Sequence, residues 1–230
     1  MKDVIVACDF STKEEIMEFL DLFTEEKPYV KIGMELFYAE GPQMVKEIKA
    51  RGHRIFLDLK LHDIPNTVYK AMRNVALLNP DMTNVHAAGG IEMMKAAQKA
   101  IDEINPKIEL IAVTQLTSTS SEVLKNELWI DHDINDTIVH YAANASEAGL
   151  AGVVCSPLEA EMIHEKVGKA FITVTPGIRF ADAKQDDQKR ITTPAKAREI
   201  GSDYIVVGRP ITASSDPVEA YKRCVKEFLG

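Results

Sequence analysis

Directly after the apolar run Ile55-Phe56-Leu57 the chain reads Asp58-Leu59-Lys60-Leu61-His62-Asp63, two acids and a lysine where a buried strand should end. Strand side chains alternate with period 2, so Asp58 and Lys60 share one face while Leu57 and Leu59 share the other. An ion pair turned toward a common interior seldom adds net stability, and it is either a structural salt bridge or a chemical device. The neighbouring strand ends favour the second reading. Asp9 stands just past the run 4–8, and Lys31 and Gly33 share one face of the run 29–33. Adjacent strands lie about 4.8 Å apart, so Asp9, Lys31, Asp58 and Lys60 are placed to form one hydrogen-bonded array at three successive strand ends. Four alternating charges at one mouth make an active-site pattern. His86 ends a fourth run and faces the same interior. A single histidine at such a place is more often a packing group than a catalyst.

The chemistry of the array follows from its composition. Asp9, Asp58 and Asp63 are oxygen donors of the kind Mg²⁺ accepts. Lys31 and Lys60 interleave with them, neutralise them without an ion and would repel a cation. A Schiff-base role for Lys60 needs few nearby anions, whereas two flanking aspartates favour the charged ammonium. A protonated lysine is suited to stabilising a carbanion and then delivering a proton to it. Later in the chain, Thr175-Pro176-Gly177-Ile178-Arg179 and Val207-Gly208-Arg209-Pro210 each place an arginine one or two residues after a glycine, just past an apolar run. Glycine N–H groups and arginine forks at such positions bind phosphate in barrels, although either glycine alone would also serve as a plain turn residue.

The elements that must position these groups are legible as an alternation. Short β-branched runs at 4–8, 29–33, 54–59, 82–86, 108–113, 152–155, 171–175 and 204–208 each precede a longer amphipathic stretch, the signature of repeated βα units around a parallel sheet. Ser11 with Glu14 resembles a capping box, Pro42 suits a first helical turn, and Gly52, Gly149 and Gly201 suit helix C-caps. Eight such units predict an α/β fold, a (β/α)8 TIM barrel forming a single domain over residues 1–230. The rival, an open doubly wound sheet, lacks its Gly-x-Gly-x-x-Gly, since the first run leads into Cys8-Asp9-Phe10-Ser11. Two connections, 114–135 with a short helix expected near 121–128 and 177–193, are long, polar and on the face where barrels carry their sites, so they are candidate lids.

Composition narrows the function further. The 230 residues are 46% hydrophobic, enough for a large core. With 27 Lys plus Arg against 35 Asp plus Glu, the net charge of −8 argues against nonspecific attraction to nucleic acid or to a membrane. Three scattered cysteines without metal spacing fit reduced thiols. No signal-peptide core or bilayer-spanning run is present, so a soluble, cytoplasmic protein is expected.

The motifs together resemble the orotidine 5′-phosphate decarboxylase family in its short bacterial form, over essentially the whole chain. The resemblance rests on residues 56–67, Phe-Leu-Asp-Leu-Lys-Leu-His-Asp-Ile-Pro-Asn-Thr, followed in the expected order by Leu116-Thr117-Ser118, Pro176-Gly177-Ile178-Arg179 and Val207-Gly208-Arg209, with Val30-Lys31-Ile32-Gly33 before them. It implies conversion of orotidine 5′-monophosphate to uridine 5′-monophosphate and CO₂, the last step of de novo UMP synthesis, without metal or organic cofactor. It also implies roles: Lys60 protonates C6, Asp58 sits near the departing carboxylate, and Lys31 with Asp9 holds the array and the ribose. Thr117 would read the pyrimidine edge, Gln188 would link base to phosphate, and Arg179, Gly208 and Arg209 would bind the phosphate. Asp63 and the residues through Thr67 would reach into the partner's site in a homodimer. Two alternatives stay open here. Hexulose-phosphate synthase and keto-gulonate-phosphate decarboxylase share an Asp-x-Lys-x-x-Asp motif but are Mg²⁺-dependent and carry an acid where this chain has Lys31; a nucleotide-phosphate sensor would bind without turnover.

Overall fold

A computed structural model of the chain describes residues 2–182 and 192–230. Eight parallel strands close into a barrel in sequence order, β1 through β8: Asp3–Ala7, Tyr29–Gly33, Ile55–Leu61, Met82–His86, Glu109–Val113, Gly152–Val154, Ile172–Thr175 and Tyr204–Val207. The expected (β/α)8 architecture is therefore present, and β2 and β4 have the bounds that alternation predicts. The helices between the strands are α1 (Lys13–Asp21), α2 (Met34–Ala50), α3 (Pro65–Leu77), α4 (Ile91–Ile104), α5 (Ser121–Asn126), α6 (Ile134–Glu147), α7 (Ala160–Val167) and α8 (Pro194–Glu199). A short α9 (Arg209–Thr212) and the C-terminal α10 (Pro217–Leu229) follow β8.

Period-2 alternation divides each strand between two apolar clusters. Ile5 and Ala7 of β1, Tyr29 of β2, Phe56 of β3, Met82 of β4, Ile111 of β5, Val174 of β7 and Tyr204 and Val206 of β8 pack together inside the barrel. Their neighbours Val4, Val6, Val30, Ile32, Leu57, Val85, Leu110, Ala112, Val153 and Ile205 face outward into the helical layer. The inner set fills the barrel as a solid plug beneath its C-terminal mouth, the end at which such barrels carry their sites. Continuing the inward phase one step up each strand arrives at Asp9, Lys31, Asp58, Asn84 and Gly208. The fold thus presents the charged residues on an apolar floor.

Three local readings need correction. The capping box at α1 is built by Thr12, whose side chain accepts the Glu15 N–H, rather than by Ser11 with Glu14; Ser11 instead donates its Oγ–H to Glu35. The two candidates differ by one position in a polar stretch, and only the three-dimensional turn decides between them. The short helix in the β5–α6 connection ends at Asn126, two residues before the predicted bound. Strand β3 runs on to Leu61, for a reason that belongs to the site. The glycines expected at helix ends, Gly52, Gly149 and Gly201, do have positive φ, as C-cap positions require. Pro42 starts the second half of α2 after a break at Gly41, where φ is 72°.

Candidate active site

Strand β3 leaves regular pairing where its charges begin. Leu57 pairs with Thr83 and Leu61 with Val85, so four residue steps on β3 face two on β4. Such a bulge re-aims side chains and interrupts the ladder. Lys60 absorbs the excess with φ of 51°, a left-handed conformation that costs a non-glycine residue about 1–2 kcal/mol. Strain of this kind persists only where the surroundings enforce it, and it concentrates at functional sites. Here Thr83 Oγ1 donates to the Leu57 carbonyl at 3.0 Å below the bulge, and the Lys60 N–H donates to Asn84 Oδ1 at 2.8 Å above it.

The result is a continuous chain of opposite charges. Asp9 Oδ1 accepts from Lys31 Nζ at 2.9 Å, Lys31 Nζ stands 3.4 Å from Asp58 Oδ2, and Lys60 Nζ donates to Asp58 Oδ1 at 2.6 Å. Burial decreases from the centre outward: Asp58 keeps 9% of its side-chain exposure, Lys31 12%, Lys60 24% and Asp9 60%, so the ends of the array face the open mouth. Burial pushes the Asp58 carboxyl up, but the Lys31 and Lys60 ammonium groups and the hydrogen bonds from Lys60 and Asn84 outweigh it and hold the group below the usual carboxylate range. For Lys31 burial acts to neutralise the amine, and the carboxylates of Asp58 and Asp9 override it and raise its affinity for a proton. Both groups are therefore charged at neutral pH.

Asn84 escaped the reading of the sequence. Its Nδ2 donates to Asp58 Oδ1 at 2.7 Å, and it is completely buried. The alternation of Met82, Asn84 and His86 pointed inward at it, but one amide in an apolar strand carries no charge pattern to mark it. His86 lies above it, with its ring centroid 5.6 Å from that of His62. Burial first, then the nearby His62 and Lys60, pull the His86 imidazole toward its neutral form. His86 also lines a cavity of about 660 Å³ with Thr114, Gln115, Leu116, Ser118 and Thr119. Thr117 is half-buried between two of these lining residues without itself lining the cavity.

On the opposite side, Gly177 has φ of 86°, and its carbonyl accepts the Thr192 N–H at 3.1 Å while Arg179 N–H donates to Thr192 O at 3.0 Å. These bonds close the base of the β7–α8 connection and place Arg179 beside the barrel mouth, where its Nη1 donates to the Ile178 carbonyl at 2.9 Å. A Cβ on Gly208 would lie 3.5 Å from Ala7 Cβ, so this turn runs close over β1, and the exposed Arg209 begins α9 from it. Gln188 lies outside the described residues. Asp63 and Thr67 are exposed and stand apart from the array of their own chain: Asp63 Oδ1 accepts the Ile64 N–H at 2.6 Å, and Thr67 lies in the first turn of α3. Among the described residues, no three His, Cys, Asp or Glu side chains gather as metal ligands.

A (β/α)8 barrel with alternating lysines and aspartates at its C-terminal mouth has the makings of an enzyme that stabilises negative charge on a substrate. The chain belongs to the orotidine 5′-phosphate decarboxylase / HUMPS family, whose model matches residues 2–224. It is 57% identical over 230 residues to an orotidine 5′-phosphate decarboxylase of Staphylococcus aureus, covering all of both chains. A solved orotidine 5′-phosphate decarboxylase from Lactobacillus acidophilus superposes with a TM-score of 0.91 at 42% identity over the full length of both. An uncharacterized conserved protein from Geobacillus kaustophilus gives 0.88 at 47% identity, covering 98% of this chain and 99% of that one.

Proposed function

We propose that residues 1–230 act as a single decarboxylase domain that converts orotidine 5′-monophosphate to uridine 5′-monophosphate and CO₂, the last step of de novo UMP synthesis. The observation that carries this reading is the unbroken Asp9–Lys31–Asp58–Lys60 array. When the C6–carboxylate bond breaks, its electron pair stays on C6 in the plane of the ring, where the π-system cannot delocalise it. Stabilisation must then be electrostatic and already in place. The Lys60 ammonium supplies a positive charge beside C6, and CO₂ leaves past Asp58. Lys60 passes its proton to C6, completing the C–H bond of the product, and recovers a proton from solvent. Lys31 keeps Asp58 charged and oriented and, with Asp9, holds the ribose.

The remaining roles are those that the resemblance to the family implies. Thr117 reads the pyrimidine edge, Gln188 links base and phosphate, and Arg179, Gly208 and Arg209 bind the phosphate. Phosphate bound at the far rim contributes binding energy that organises the reacting end. Asp63 and Thr67 are outside their own array and exposed, as is Ile64 at 67% of its surface, which supports a homodimer in which they complete the partner's site. Three buried, unpaired cysteines and, among the described residues, no helix long and apolar enough to cross a membrane fit a cytoplasmic location. A Mg²⁺-dependent relative of the hexulose-phosphate type is disfavoured by the ammonium of Lys31, which fills the space between Asp9 and Asp58 where a cation would bind.

The test is CO₂ release from orotidine 5′-monophosphate by protein dialysed exhaustively against chelator. The rate should be unchanged by chelation and not raised by added Mg²⁺. A rate that collapses on chelation and returns with Mg²⁺ would overturn the reading of Lys31.

A further inference from the structure

We propose that Asn84 is a positioning residue for the decarboxylation, holding the Lys60 backbone and the Asp58 carboxylate in one fixed relation; the proposal rests on the function given above. Its amide is bidentate across the bulge. Oδ1 accepts the Lys60 N–H at 2.8 Å, and Nδ2 donates to Asp58 Oδ1 at 2.7 Å, the same oxygen that takes Lys60 Nζ at 2.6 Å. Two atoms of the array are thereby tied directly to one side chain on β4, and Lys60 Nζ is tied to it through the shared oxygen. Its orientation is dictated, because only the oxygen can face an N–H and only the NH₂ can face a carboxylate.

The bond to Lys60 replaces a missing ladder bond. Between the pairs Leu57–Thr83 and Leu61–Val85 the main chains of β3 and β4 are out of register, and a buried N–H without a partner is costly. Asn84 supplies that partner and so maintains the left-handed Lys60 at φ of 51°. The bond to Asp58 fixes the rotation of its carboxylate, and with it the point at which the Lys60 ammonium rests. Asn84 itself has no exposure, so it acts through Asp58 and Lys60 and not on substrate directly.

Aspartate at this position separates positioning from mere folding. Ionised, its carboxylate would face Asp58; protonated, it has the shape of asparagine, with a carbonyl for the Lys60 N–H and an O–H for Asp58. Two carboxyls in such contact share a proton at a raised pH. The other titratable groups around it are Lys31 on β2, Asp58 and Lys60 on β3, and His86 on β4. On β5, Ile111 is its register partner, while Glu109 pairs with Met82 two residues lower.

The experiment measures kcat, KM and pH profile for wild type, Asn84→Ala and Asn84→Asp, with uridine 5′-monophosphate binding as the check on folding. Displacing the reacting groups by about 1 Å costs on the order of 10²-fold. Asn84→Ala should lose about that much in kcat with nucleotide binding and KM retained. Asn84→Asp should regain activity relative to wild type as pH falls. Wild-type kcat in both variants overturns the proposal, as does loss of nucleotide binding in Asn84→Ala together with an Asn84→Asp profile that merely parallels wild type. A wild-type protein that releases no CO₂ at all would instead overturn the function on which the proposal rests.

Discussion

Asp58 is the residue on which the array balances, because it is the one carboxylate placed between two lysines. Its proton affinity is lowered on folding, so its contribution to stability is complete above the ordinary carboxylate value of 3.8 and is lost as pH falls through the lower folded value. Lys31 behaves in the opposite sense, contributing fully below its ordinary 10.5 and losing that contribution only as pH rises through the higher folded value. Removing one partner from a buried charge pair costs about 3–5 kcal/mol. Asp58→Asn should therefore be destabilised by about that amount at neutral pH, and the gap to wild type should shrink below pH 3.8. Urea unfolding across pH measures it. A gap that widens on acidification would mean that burial, not the lysines, dominates at Asp58.

Among the elements, the turns after β7 and β8 carry the phosphate prediction. Arg209→Ala should lose charge-assisted hydrogen bonds of about 1.5–3 kcal/mol each, hence about 10- to 10⁴-fold in kcat/KM for one or two bonds. The loss should be specific to the phosphorylated substrate, and equal damage toward orotidine would assign Arg209 another role. Much of this scale was legible in the sequence. Alternation turned Lys31, Gly33 and Asp58 toward the barrel interior, and they lie there; Lys60 reaches the same array, but across a bulge rather than by regular alternation. The bulge was not legible, because nothing in Asp58-Leu59-Lys60 announces a left-handed lysine and lysine is not a residue that favours one. Asn84 was hidden for the related reason that its partner is the backbone distortion itself. The capping box moved by one residue because Ser11 and Thr12 are chemically equivalent caps, and residues 183–191, Gln188 among them, lie outside the described residues.

For the whole molecule the question is whether one barrel contains a complete site. Asp63 stands outside its own array and is exposed, whereas the motif that carries Lys60 carries Asp63 three residues on. Coexpressing Lys60→Ala with Asp63→Ala tests the sharing. In a mixed dimer with shared sites, one site collects both defects and the other is rebuilt with neither. Random pairing makes half the dimers mixed, so about a quarter of wild-type activity per site should return. Activity staying at the level of the separate variants, with mixed dimers confirmed by two different tags, would assign Asp63 to its own subunit.

In the proposed mechanism the Lys60 ammonium, held by Asp58 and a strained bulge, stabilises and then protonates the C6 carbanion. Its most direct test is the single-site rate of CO₂ release from orotidine 5′-monophosphate by Lys60→Ala, with uridine 5′-monophosphate affinity measured on the same preparation. General acid catalysis alone contributes about 10²–10⁴-fold, and the lost charge adds to it. A loss of at least about 10²-fold is expected, with nucleotide still bound. Decarboxylation within about tenfold of wild type, less than the smallest contribution expected of a general acid, would contradict it.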